Sequence, residues 1–233
     1  MRKIRLFFET IVLRWTYMEQ ILTFSTQKTR PTTYRCLLHL PEDMRPGERL
    51  PLIVFLHGAG ERGDNVEAVR RHGPPKLMAE GFPLRAIVLA PQCAENDVWY
   101  TQTHELKELI DDVAARFPVD PDRISLTGIS MGGFGAWAMA IAYPRLFSAL
   151  APLCGGGMSW CTPQLRDLPI RAFHGDCDSV VPPEYSLLMV QGVNAAGGSA
   201  TLTLLPGVEH DCWTETYAHT DLLPWLAAQT RKG

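Results

Sequence analysis

Arg123-Ile-Ser-Leu-Thr-Gly-Ile-Ser130-Met-Gly-Gly-Phe-Gly-Ala-Trp-Ala-Met-Ala140 decides how the rest of the chain is read. Its first part, Ile124 to Thr127, is apolar and β-branched, as a buried strand requires. Gly128-Ile-Ser130-Met-Gly132 then makes a tight turn, and Gly133, Gly135, Ala136, Ala138 and Ala140 give a face small enough for a helix pressed against a sheet. Strand, sharp turn and helix with a serine at the corner is the pattern of a nucleophile elbow. The flanking glycines are needed where a side chain would collide with the neighbouring strand or helix. Ser130 is then exposed at a helix N-terminus, where free backbone N–H groups can receive an oxyanion.

Working outward, Leu52-Ile-Val-Phe-Leu56 is a continuous apolar run, as for a strand covered on both faces. It leads into His57-Gly-Ala-Gly-Glu-Arg-Gly-Asp64, whose glycines let the main chain approach a ligand closely. A phosphate loop would want Gly-Lys-Ser/Thr, which is absent, so this loop is read as a source of oxyanion donors. Further strands are expected at Ala86–Ala90, Ala149–Leu153, Ile170–His174 and Ala200–Leu205. Helices are expected at Thr103–Phe117, Glu184–Ala196 and Thr220–Gln229. Toward the N-terminus, Ile21–Ser25 and Tyr34–Leu40 alternate as antiparallel strands joined by the turn residues Gln27 to Pro31, and Pro41–Arg49 reads as a loop. Strands alternating with helices imply right-handed crossovers and a mostly parallel sheet wrapped on both faces. Ligands in such sheets sit beyond the C-terminal strand ends. Ser130, the His57 loop, Asp178 and His210 all follow expected strands.

A serine nucleophile needs a base, and the base needs a carboxylate to fix its tautomer. After Ile170–His174 come Gly175-Asp176-Cys177-Asp178, two candidate acids. His174 itself belongs to the strand end and is read as structural. The base is expected after the acid, on the loop following the last strand, where Leu204-Leu-Pro-Gly-Val-Glu-His210 supplies it. His219 is the weaker choice, at the onset of the closing helix, and Asp211 adjoins His210 too closely to align with its Nδ1.

Composition bounds the alternatives. The chain has 233 residues, 46% apolar and 20% charged, enough for one well-buried α/β domain over residues 1–233. Lys and Arg number 22 against 25 Asp and Glu, a formal charge of -3 that offers neither a nucleic-acid footprint nor a polybasic membrane anchor. Small molecules are the expected partners, with the protein a monomer or homodimer. Six cysteines without a C-x-x-C pair read as reduced core thiols rather than a zinc site or disulfide framework, though Cys154 and Cys161 flank a glycine run and could bridge. With no convincing signal peptide or spanning helix in Met1–Trp15, where Arg5, Glu9 and Arg14 interrupt the apolar residues, a cytoplasmic location is expected. Residues 1–17 read as an N-terminal extension or extra edge strand, with Met18 placed to start the chain.

From Leu52 onward the sequence resembles the α/β-hydrolase superfamily, in its small lidless carboxylesterase and dienelactone-hydrolase-like branch. The resemblance rests on His57-Gly-Ala-Gly, Gly-Ile-Ser130-Met-Gly-Gly, His174-Gly-Asp-Cys-Asp178-Ser-Val-Val-Pro and the Glu209-His210 loop. The first loop with Ala90-Pro-Gln-Cys and Trp99 is also similar to esterases or peptidases related to prolyl-oligopeptidase catalytic domains. It implies an α/β-hydrolase fold without a large lid and Asp178, rather than Asp176, as the acid. It also implies backbone oxyanion donors at Met131 and Ala59, and no metal or organic cofactor. The expected activity is hydrolysis of carboxylic esters with small or aromatic acyl groups. A peptidase with the same triad and a non-catalytic binding module are the rivals. Trp99, Trp160 and Trp213 lie in loops at the expected rim, either as an aromatic wall for the substrate or as core.

Overall fold

The computed structural model describes residues 32–41, 44–45 and 47–231. The expected strand Ile21–Ser25, its turn, the Met1–Trp15 segment and Met18 lie outside them, as does part of the Pro41–Arg49 loop. Seven strands form one sheet in the order β1 (Cys36–His39), β3 (Ile87–Pro91), β2 (Leu50–Leu56), β4 (Val119–Ile129), β5 (Ala149–Leu153), β6 (Arg171–Gly175) and β7 (Thr201–Leu205). β1 runs antiparallel to β3, with Cys36 opposite Pro91 and His39 opposite Val88. All the other pairings are parallel. The mostly parallel sheet with an antiparallel N-terminal edge is the one expected.

β2 shows why the apolar run is unbroken. Leu52, Val54 and Leu56 enter a core with α2 (Thr103–Arg116), α3 (Met131–Ala142) and α4 (Glu184–Ala195). Ile53 and Phe55 enter a second core, on the other face, with α1 (Gly73–Ala79), α5 (Trp213–His219) and α6 (Leu222–Ala228). Because side chains alternate along a strand, a strand covered on both faces must be apolar at every position. Each of these fully buried side chains contributes about 1.5–3 kcal/mol relative to exposure.

Two of the departures from the sequence expectation concern helices. The closing helix expected over Thr220–Gln229 is two helices, α5 and α6, interrupted at Thr220 and Asp221. Thr220 Oγ1 donates to Thr216 O, ending α5, and accepts from Leu222 N to open α6. This places His219 in the last turn of α5 rather than at a helix onset. The second departure is α1, for which no element was expected. It opens at Gly73 with φ +63 and with Pro74 and Pro75 at its first positions, where the missing N–H groups cost nothing. A Cβ at Gly73 would come within 2.7 Å of the Phe55 ring, so the helix reaches the sheet only because that residue is glycine.

Between β5 and β6 the chain makes a 3-10 helix, Ser159–Leu165. It is packed onto α4 at Gly192, where a Cβ would lie 2.4 Å from Thr162 Oγ1. No helix among the described residues is long and apolar enough to cross a membrane.

Candidate active site

β4 passes directly into α3 through Ser130, which has φ 52 and ψ -117, a conformation that costs a non-glycine residue roughly 1–3 kcal/mol. The turn can be this tight because its neighbours lack side chains. A Cβ on Gly132 would sit 1.9 Å from Leu56 O, and one on Gly128 2.3 Å from Gly132 O. Ser130 N–H donates to Leu153 O at 3.0 Å and approaches Cys154 Sγ at 3.3 Å, which ties the elbow to the end of β5.

Three side chains from three strand ends meet here. His210, in the loop after β7, places Nε2 2.9 Å from Ser130 Oγ and Nδ1 2.7 Å from Asp178 Oδ2. Asp178, in the loop after β6, accepts from Val180 N and Val181 N through Oδ1 at 2.9 and 2.8 Å. Its side chain is buried, and burial alone would raise its pKa. The hydrogen bonds from His210 and the two amides outweigh that effect and hold the carboxyl below its ordinary range. With Asp178 an acceptor, His210 carries its proton on Nδ1 and leaves the Nε2 lone pair facing the serine hydroxyl. Asp176 faces elsewhere. Its Oδ1 accepts from Gly207 N at 2.7 Å and braces the turn after β7.

The His57 loop lies against the elbow, with the Gly58 Cβ position 3.8 Å from Ser130 Cβ. Cys93 N donates to His57 Nε2 at 3.0 Å, so the ring proton is on Nδ1, which donates to Gly58 O at 2.6 Å. Peptide planarity then turns Ala59 N–H away from that carbonyl, on the opposite side of the same amide. Met131 N–H opens α3 and has no acceptor within the helix. Burial pushes the His57 imidazole down to about 4, against the smaller opposing effect of its bond to Gly58, so the ring stays neutral. Burial likewise pushes the Cys154 thiol well up, aided by its contact with Cys212.

The three tryptophans separate. Trp99 is fully buried, and its Nε1 donates to His57 O at 2.9 Å. It is core beneath the loop and cannot wall an open crevice. Trp160 is 77% exposed on the 3-10 helix after β5. Trp213 packs edge-on against the His210 ring, with centroids 5.3 Å apart, and against His72 at 5.5 Å. A cavity of about 570 Å³ along α3 has Tyr100, Phe134, Ile141 and Met158 among its walls; Ser130, Asp178 and His210 do not line it. All six cysteines are free thiols, Cys154 and Cys161 included. Only Cys93, Cys154 and Cys212 are buried, whereas Cys177 is exposed, so the reading of all six as core is too broad.

Three contributions lie in contacts that the motifs by themselves do not state. The neutral His57 ring braces its own loop through Cys93, a residue after another strand. Gly175 lets the acid and base loops touch, since a Cβ there would lie 2.1 Å from Glu209 O. Ser186, on α4, reaches back to His174 and Gly155. His57, Cys93 and Gly175 each lie in a motif quoted above, whereas Ser186 carried no signal in the sequence.

A mostly parallel sheet with a serine at the elbow after β4 and an acid and a histidine on later strand ends is the arrangement of the α/β-hydrolase fold. Residues 28–164, more than half of the chain, match the model of the family described as "Putative esterase", and the chain belongs to that family. It is similar to a thermostable esterase of known crystal structure, with a TM-score of 0.75 and 32% identity over 84% of this chain and 59% of that one. It is 27% identical over 143 residues to poly(3-hydroxyalkanoate) depolymerase C of Paucimonas lemoignei, covering 55% of this chain and 33% of that protein. It is 46% identical over 71 residues to S-formylglutathione hydrolase of Rattus norvegicus, covering 26% of this chain and 24% of that protein. The chain thus spans a third or less of these two curated relatives.

Proposed function

We propose that the protein hydrolyses carboxylic esters of small or aromatic acyl groups through an acyl-enzyme on Ser130. The observation that supports this most strongly is the continuous hydrogen-bonded line from Ser130 Oγ through His210 to Asp178, with links of 2.9 and 2.7 Å. In this reading His210 Nε2 takes the Ser130 proton as Oγ attacks the ester carbonyl. Asp178 stabilises the imidazolium that forms. The Met131 and Ala59 amides receive the developing oxyanion, a role worth about 3–4 kcal/mol per donor in related chemistry. His210 then protonates the leaving alcohol, and a water deprotonated by the same ring releases the acid.

The preference for small or aromatic acyl groups is supported by Trp213 beside His210. A cytoplasmic location belongs to the same reading, and the six free thiols support it. The test is a set of p-nitrophenyl esters of increasing acyl length and aromaticity, run beside matching amides. Turnover of acetyl to butyryl and aromatic esters, with amides slower by at least about 100-fold, is expected. Equal turnover of amides would transfer the site to the peptidase reading.

A further inference from the structure

His174 ends β6 beneath the loop that carries Asp178, and its side chain is fully buried. Oxygens stand on both sides of the ring. Ser186 Oγ lies 2.7 Å from Nδ1. With its one proton on Gly155 O, which also lies at 2.7 Å and can only accept, that hydroxyl presents a lone pair to the ring. Across the ring, Nε2 lies 2.8 Å from Val181 O and 3.2 Å from Asp178 Oδ2. A carbonyl cannot donate, and an ionised carboxylate cannot either.

Both nitrogens therefore face lone pairs, and a neutral imidazole has a single N–H to offer. His57 shows the contrast in the same molecule, because one of its nitrogens meets a backbone N–H and the other a carbonyl, the pattern of a neutral ring. A neutral His174 and the Ser186 hydroxyl hold two protons for three contacts of 2.7, 2.7 and 2.8 Å, so one of the three would lack a proton at a fully buried position, where unmade hydrogen bonds are most costly.

We propose that His174 is a buried imidazolium and a positioning residue for the triad, held on the same Asp178 oxygen that His210 uses. This rests on the reading of Ser130, His210 and Asp178 given above. The pair of His174 and Asp178 lets two buried charges compensate one another, with the remaining N–H satisfied by Ser186. It also divides the pull of Asp178 between two rings. A cation on Oδ2 weakens the stabilisation that the carboxylate gives to the imidazolium formed at His210 when it takes the Ser130 proton. The groups facing this pair are Asp178 and His210 on their loops and Cys154 at the end of β5. α4 contributes the uncharged Ser186. The Cys154 thiol is kept neutral chiefly by burial and adds no charge.

The experiment is NMR of the whole protein with 15N-labelled histidine, assigned with His174→Gln, together with pH profiles of kcat/KM. Two protons on His174 from pH 5 to 8 are expected. His174→Gln removes the charge, and the acid limb of its profile should move up by about half a pH unit or more, with kcat down about tenfold and KM within about twofold. Ser186→Ala keeps the ring but removes the acceptor for Nδ1, and should lower kcat in the same way. If His174→Gln does not fold, the His174 signals are assigned by their shift in Ser186→Ala, whose hydroxyl lies against Nδ1, and the proton count on the unaltered protein with the Ser186→Ala kinetics decides. A single N–H on His174 over this range overturns the proposal, as does a His174→Gln profile that superimposes on the original. The count needs no substrate. One N–H with intact ester hydrolysis would therefore remove this proposal alone, whereas two with no hydrolysis would remove the functional reading and the positioning role with it.

Discussion

Ser130 and His57 show how much of the candidate site is set by single residues placed against the chain's ordinary preferences. The serine can be held at φ 52 because Gly128 and Gly132 let the main chain pack this closely, and His57 is held neutral because it is buried between a donor and an acceptor. A histidine whose folded pKa lies near 4 instead of its ordinary 6.5 binds fewer protons folded than unfolded between those values. Its contribution to stability is full above pH 6.5 and is lost as pH falls toward 4, on the order of 3 kcal/mol in all. Urea unfolding at stepped pH should show this loss, and His57→Gln should remove that part of the slope while lowering stability at pH 7. An unchanged slope in the variant would contradict the account of His57. For Asp178, the Asn variant keeps the shape but can present an amide N–H to His210 and favour the wrong tautomer. Activity should fall about 10³- to 10⁴-fold with the melting temperature little changed, measured by ester hydrolysis beside calorimetry.

At the level of elements, the junctions β4 to α3 and β6 to its loop are where main chain meets main chain. Gly132→Ala would drive a methyl group into Leu56 O, a backbone atom that cannot rotate away. Loss of at least about 4 kcal/mol is expected, seen as failure to fold or a collapse of the thermal midpoint. Gly175→Ala should act differently, because its obstacles, Glu209 O and Val208 O, belong to the loop that carries His210. That loop can yield, so the predicted result is a folded protein with kcat reduced by about 100-fold or more and a lengthened link between His210 and Ser130, visible in a crystal structure. Full activity in Gly175→Ala would show that the contact does not set the position of His210. The same junctions explain what could be read in advance. The elbow, the His57 loop and the loops of Asp178 and His210 each announce themselves locally, through glycines and a chemistry-bearing residue after an apolar run. The α5–α6 break depends on Thr220 bonding both ways, and α1 depends on a glycine fitted to Phe55, and neither relation exists until the sheet is formed.

In the molecule as a whole, the alternation of apolar strands and helices was sufficient to give the parallel sheet and its two covered faces. Strand order was not legible from the alternation, since β3 lies outside β2 while β4 lies inside it. Nor could the tryptophans be sorted, because exposure is a property of the packed molecule: Trp99 is sealed under the His57 loop and Trp160 stands in solvent. The sheet brings the ends of β2, β4, β6 and β7 to one edge, and the shared edge makes four separated sequence signals into one candidate site.

The central claim is that Ser130 is the nucleophile, and mass spectrometry after treatment with a fluorophosphonate probe tests it most directly. A single adduct on the peptide containing Ser130 is predicted, absent in a folded Ser130→Ala variant. An adduct at another residue, or full labelling of that variant, would contradict it.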